Sequence, residues 1–119
     1  VFYNRHLCRL EEWPDCILRT VENLHHNTVY ETINGPNEFT TIGNLRYWNR
    51  TPDLGQIKIP VLITCGRHDE LGPACATTLH EGLSDAEMVI FEKSAHVSHI
   101  EEPEAYRELI SQFLAQNDA

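Results

Sequence analysis

The sequence predicts an α/β chain, on three observations. Two short apolar runs rich in β-branched residues, Pro60-Val61-Leu62-Ile63-Thr64-Cys65-Gly66 and Met88-Val89-Ile90-Phe91, are separated by a stretch of helical character. A second helical stretch follows the later run. Each run leads directly into a polar cluster, Arg67-His68-Asp69-Glu70 after the first and Lys93-Ser94-Ala95-His96 after the second. Strand, helix, strand, helix with short connections is the order of a parallel sheet with covering helices. In such sheets functional groups gather at the carboxyl ends of the strands.

Taken in chain order, Ile17, Leu18, Val21 and Leu24 recur at helical spacing behind Pro14-Asp15. Proline suits a helix start because the N–H it lacks would be unpaired there anyway. Asn34-Gly35-Pro36-Asn37 is turn chemistry and should end this helical region. Leu45, Tyr47 and Trp48 suggest another short helical or irregular piece, closed by Arg50-Thr51-Pro52-Asp53. Residues 60–66 read as a buried strand, being apolar without alternation and bounded by proline and glycine. Ala74, Ala76, Leu79 and Leu83 predict a helix over 73–83, with Gly82 near its end. Residues 88–91 read as a second buried strand. Pro103 opens a last helix whose apolar face is Tyr106, Leu109, Ile110, Phe113 and Leu114. Two strands cannot cover both faces of a parallel sheet, so further sheet is expected outside these residues.

Composition narrows the function classes. The chain has 119 residues, 41% hydrophobic and 23% charged, which is ordinary for a globular protein. Its net charge of −9, from 18 acidic and 9 basic side chains, repels phosphate backbones and argues against a nucleic-acid partner. No run of about 18 apolar residues is available to cross a membrane. Cys8, Cys16, Cys65 and Cys75 form no C-x-x-C pair, which points to reduced thiols and a cytoplasmic location. The opening Val1-Phe2-Tyr3-Asn4-Arg5-His6 has neither a signal-peptide layout nor an initiator methionine, so the chain is expected to begin inside a longer protein.

A carboxylate after one strand and an imidazole after the next can meet without being sequence neighbours. In a nucleophilic triad the carboxylate fixes the tautomer of the imidazole, which then takes the nucleophile's proton. Asp69 and His96 occupy such positions. His99, three residues on, competes for the base role, and His68 beside Asp69 could be read as a metal ligand, although no second histidine at ligand spacing supports one. Gly66-Arg67-His68-Asp69-Glu70, followed by Ser94-Ala95-His96-Val97-Ser98-His99-Ile100-Glu101-Glu102-Pro103, resembles the end of the α/β-hydrolase family, whose triad runs nucleophile, acid, histidine. Asn34-Gly35-Pro36-Asn37-Glu38-Phe39 further resembles the cap-region motif of the proline iminopeptidases.

That resemblance implies a hydrolase core over 53–119, the C-terminal part of an α/β-hydrolase fold, preceded by part of a helical cap over 1–52. It implies Asp69 as triad acid and His96 as general base, the latter selected over His99 by its distance from Glu101-Glu102-Pro103. It also implies Glu38 and Glu70 as the carboxylates that bind a substrate's N-terminal amine, and no metal or other cofactor. The partner would be a peptide with a free N-terminal proline. An ammonium taken out of water needs such compensating charge, so the chemistry is sound. One departure is Ala95, where many of these hydrolases carry glycine before the histidine.

No serine here sits in G-x-S-x-G. The nearest approach, Gly82-Leu83-Ser84-Asp85-Ala86, lacks the last glycine and follows a helix instead of a strand. The nucleophile is therefore expected elsewhere in a longer protein, and these 119 residues alone are expected to be inactive. Two other readings stay open: a different cap-bearing hydrolase acting on amides, esters or epoxides, and a non-catalytic binding protein on the same scaffold. Trp13, Phe39 and Trp48 could line a pocket for an apolar ring, or pack in a core. His6, His25, His26 and His80 read as surface or helix-face residues.

Overall fold

The computed structural model describes residues 1–24, 27–37 and 39–118. The chain forms two compact units, one of Glu12–Arg50 and one of Val1–Glu11 together with Thr51–Ala119. The sequence suggested a single break near residue 52. The first eleven residues instead join the second unit because their backbone bonds to its loops: Glu70 N–H donates to His6 O and His96 N–H to Leu7 O.

In the Glu12–Arg50 unit, α2 (Asp15–Leu24) begins directly after Pro14, whose carbonyl accepts from Ile17 and Leu18. Ile17 is its buried residue. A separate helix, α3 (Thr28–Ile33), was not anticipated. Its signal is Asn27, whose side chain accepts from the N–H groups of Val29 and Tyr30 and so satisfies two of the helix's unpaired donors. The expected turn follows. Gly35 has φ +135°, and a Cβ there would lie 2.1 Å from the Thr40 carbonyl oxygen, so only glycine fits. Phe39 and Trp48 are 65% and 66% exposed, so neither is a core residue of this unit. His25, His26 and Glu38 lie outside the described residues.

The other unit opens with a single helical turn, α1 (Tyr3–His6), and holds a short 3-10 helix at Thr51–Gln56. β1 (Val61–Gly66) and β2 (Ala86–Phe91) pair in parallel, with Val61 opposite Ala86 and Gly66 opposite Phe91. Parallel neighbours need a crossover, and α4 (Gly72–Gly82) supplies it, packing on both strands. The core between helix and sheet is Ile63, Cys65 and Ala76, ringed by Val61, Leu83, Ala86 and Met88. Cys65 is thus the small core residue its apolar setting suggested. Gly82 closes α4, where the sequence placed it. It keeps a negative φ instead of forming a left-handed cap, and a Cβ would meet Leu54 Cδ1 at 2.5 Å, so it is the floor on which the 3-10 helix packs.

After β2, one unforeseen turn of helix, α5 (Ser98–Glu101), precedes α6 (Pro103–Asn117). Tyr106, Leu109, Ile110 and Phe113 form the expected half-buried stripe, whereas Leu114 is 58% exposed. Tyr106 stacks at a tilt on Phe91 of β2, ring centroids 5.5 Å apart. Among the described residues no helix is long and apolar enough to cross a membrane.

Candidate active site

Both strands end at the same level because their register pairs Gly66 with Phe91, and the chain leaves each strand into a polar loop. The two loops are stitched to each other: Arg67 N–H donates to Phe91 O at 2.9 Å and His68 N–H to Ser94 O at 3.0 Å. Gly66 allows this closeness. A Cβ at that position would stand 2.0 Å from Ala95 O and 2.5 Å from Ser94 O.

Asp69 and His96 meet at the top of these loops. His96 Nδ1 lies 3.1 Å from Asp69 Oδ1, the contact expected from the sequence. The carboxylate can only accept, so Nδ1 carries the proton and the lone pair falls on Nε2. The environments differ in a useful direction: the Asp69 side chain is 10% exposed and the imidazole 40%. A sheltered carboxylate thus orients a ring that is itself partly open to solvent. Asp69 Oδ1 also accepts from Leu71 N–H at 2.9 Å, an Asx turn that fixes the carboxylate's rotamer.

The histidine loop is held by two carboxylates from the following turn. Glu102 Oε2 accepts from Ser94 Oγ at 2.6 Å and from Lys93 N–H at 3.1 Å. Glu101 Oε2 accepts from Ala95 N–H at 2.8 Å, and its Oε1 from Arg9 N–H at 2.7 Å. Ser94 is fully buried, and Ser98 is buried with its hydroxyl toward Ala95 O, so both hydroxyls are engaged in holding the loop. His99 turns its edge to Tyr106 at 5.8 Å, a packing role. His6, read from the sequence as a surface or helix-face residue, ends α1, is half-buried and donates from Nδ1 to His68 O at 2.8 Å.

Charge around the couple is arranged at two further points. Arg67 and Glu92 bridge the strand ends as a two-pronged pair, Nε to Oε2 at 2.8 Å. That hydrogen bond holds the Glu92 carboxyl below its usual range and the Arg67 guanidinium above its own. Both groups are exposed, so the pair ties the loops without adding much stability. Burial, reinforced by the Asp69 carboxylate, pushes the Cys65 thiol up. It stays a neutral thiol beneath the acid loop.

Of the four residues singled out from the sequence, the structure brings Asp69 and His96 together. Glu70 follows Asp69, half-buried, with its N–H bonded to His6 O at 3.2 Å. Glu38 lies outside the described residues. Sequence reading missed Gly66, His6 and the roles of Glu101 and Glu102. The Glu101-Glu102-Pro103 string served only as a ruler for choosing the histidine, although two adjacent glutamates just after a buried loop were a usable sign of loop anchoring.

A parallel strand pair with its covering helix, carrying an acid and a histidine on its carboxyl ends, defines part of an α/β-hydrolase. No family model matches the chain. It is, however, 42% identical over 115 residues to the proline iminopeptidase of Saccharolobus solfataricus, covering 97% of the chain and 37% of that protein. The crystal structure of proline iminopeptidase from Mycobacterium smegmatis superimposes with a TM-score of 0.92 at 36% identity, over 98% of this chain and 40% of that one. The crystal structure of VinJ gives a TM-score of 0.91 at 39% identity, with the same coverage. The chain is a homologue of the proline iminopeptidases, and it spans about two fifths of the length of the relatives it matches.

Proposed function

We propose that this chain is the part of a serine-type prolyl aminopeptidase that carries the triad's acid and base, and that it acts within a longer protein. The observation that carries the reading is the Asp69–His96 contact at 3.1 Å on adjacent strand ends. Homology to proteins named proline iminopeptidase supports the substrate class. Within the reading, residues 12–50 are part of the cap and the strand-bearing unit is part of the hydrolase core. A serine outside these residues attacks the carbonyl of an N-terminal proline while His96 Nε2 takes the hydroxyl proton. The imidazolium then returns that proton to the departing amine, leaving a prolyl ester on the serine. Water, deprotonated by the same nitrogen, releases proline. Asp69 holds Nδ1–H throughout and stabilises the transient positive ring.

Glu38 and Glu70 are proposed to take the proline's charged amine. Peptides blocked at the N-terminus would then be rejected, because two desolvated carboxylates would lack their cation. Four free cysteines accord with a cytoplasmic setting.

The test uses the full-length protein with a prolyl chromogenic amide and a neutral ester. Each of Glu38→Gln and Glu70→Gln should cost about 1.5–3 kcal/mol of charge-assisted binding, so kcat/KM for the prolyl amide falls about 10- to 100-fold while the ester is little affected. Equal losses on both substrates would remove amine recognition and favour another cap-bearing hydrolase. Residues 1–119 supplied alone should turn over neither substrate above background, since no serine here occupies a nucleophile turn.

A further inference from the structure

The acid loop and the histidine loop are both fastened to a third segment, residues 6–9, which lies some sixty to ninety positions earlier in the chain. His6 grips the acid loop on both sides of Asp69: its Nδ1–H donates to His68 O at 2.8 Å, and its carbonyl accepts from Glu70 N–H at 3.2 Å. One residue on, Leu7 O accepts from the backbone N–H of His96 itself at 3.0 Å. Cys8 is completely buried, which pins the segment in place. Then Arg9 N–H meets Glu101 Oε1 at 2.7 Å, while the other oxygen of that carboxylate takes Ala95 N–H at 2.8 Å, next to the histidine.

We propose that residues 6–9 and the Glu101 carboxylate form a clamp that sets the distance and angle between Asp69 and His96, with His6 and Glu101 as its positioning side chains. The inference rests on the reading of Asp69 and His96 as an acid–base couple. Neither side chain touches the reacting atoms. Their effect is geometric: a single carboxylate spans two backbone donors, Arg9 and Ala95, that stand 86 positions apart, and charge-assisted bonds of this kind are short and directional. Glutamine cannot replace it. Its amide offers an acceptor to one N–H and a donor to the other, so one of the two ties becomes a repulsion. Without the tie the histidine loop keeps its fold through Glu102 and Ser94, but its relation to the acid loop then rests on the backbone bonds at Phe91, Ser94 and Leu7 alone.

Kinetics and amide exchange on the full-length protein test the clamp. Glu101→Gln and His6→Ala should each lower kcat about 10- to 100-fold, the loss expected when a catalytic group shifts by about an ångström, with KM within about threefold. Glu101→Asp, which keeps the charge, should recover part of that loss. In Glu101→Gln the Ala95 and His96 amides should exchange with solvent at least about tenfold faster, at an unchanged melting midpoint. A kcat within threefold of the parent in both variants, or a fall in kcat matched by the fall in folded protein, would overturn the proposal. So would unchanged exchange at Ala95 and His96. Should the parent turn over no prolyl substrate, the peptidase reading fails, and the exchange result alone decides the clamp.

Discussion

In the full-length protein, Asp69→Asn should lower kcat on a prolyl amide by about 10⁴-fold with little change in melting midpoint. The size follows from the bonds Asp69 makes. Its Oδ1 accepts from both Leu71 N–H and His96 Nδ1–H. Asparagine has one oxygen for these partners and no charge. Kept in place, that oxygen preserves the tautomer but gives a weak counter-charge to the imidazolium formed as the serine loses its proton. Turned around, the side chain presents its NH₂ to Nδ1, moves the ring proton to Nε2, and removes the base altogether. Both outcomes spare the fold, because asparagine is isosteric and the carboxylate is only one of the loop's anchors. Steady-state rates and a thermal melt on the same preparation check the claim. A kcat within tenfold of the parent would exclude Asp69 from the triad.

Gly66→Ala is expected to be damaging by a different route. The new Cβ would sit 2.0 Å from Ala95 O, 2.5 Å from Ser94 O and 2.7 Å from the Ala95 carbonyl carbon. All three are backbone atoms, so no rotamer change relieves the overlap. The histidine loop must retreat by an ångström or more, carrying His96 away from Asp69. Overpacking of this kind costs about 1–3 kcal/mol of stability, and misplacing a catalytic group by about 1 Å costs about 100-fold in rate. Gly55→Ala is the control, since the nearest atom to its added Cβ is Gly82 O at 3.9 Å. Urea melts and kcat for the two alanine variants should separate clearly. If Gly66→Ala behaves like Gly55→Ala, the close approach of the loops is not what holds the couple.

Much of this was legible in the residues. The strands, α4 and the start of α6 are marked by proline, glycine and unbroken apolar runs, and the polar clusters after each strand pointed to Asp69 and His96. What stayed hidden depends on partners that leave no trace in side-chain chemistry. The bonds at His68 O, His6 O and Leu7 O go to backbone carbonyls, which every residue has, so nothing in the sequence marks residues 6–9 as part of the site. The packing role of Gly82 is hidden for a related reason. A glycine near a helix end suggests a left-handed cap, and only the position of Leu54 reveals that close packing is what excludes a side chain there. Glu38 sits in a recognisable motif but outside the described residues, so its role rests on sequence resemblance.

The ties at the site close loops of very different length. Asp69 and His96 are 27 residues apart, whereas the tie from His6 to His68 spans 62 and that from Arg9 to Glu101 spans 92. Closing the longest of these loops costs about 1 kcal/mol more entropy than closing the shortest. During synthesis, residues 6–9 leave the ribosome long before Glu101 exists. The early segment can therefore complete its ties only once Glu101 has emerged, 92 positions after Arg9.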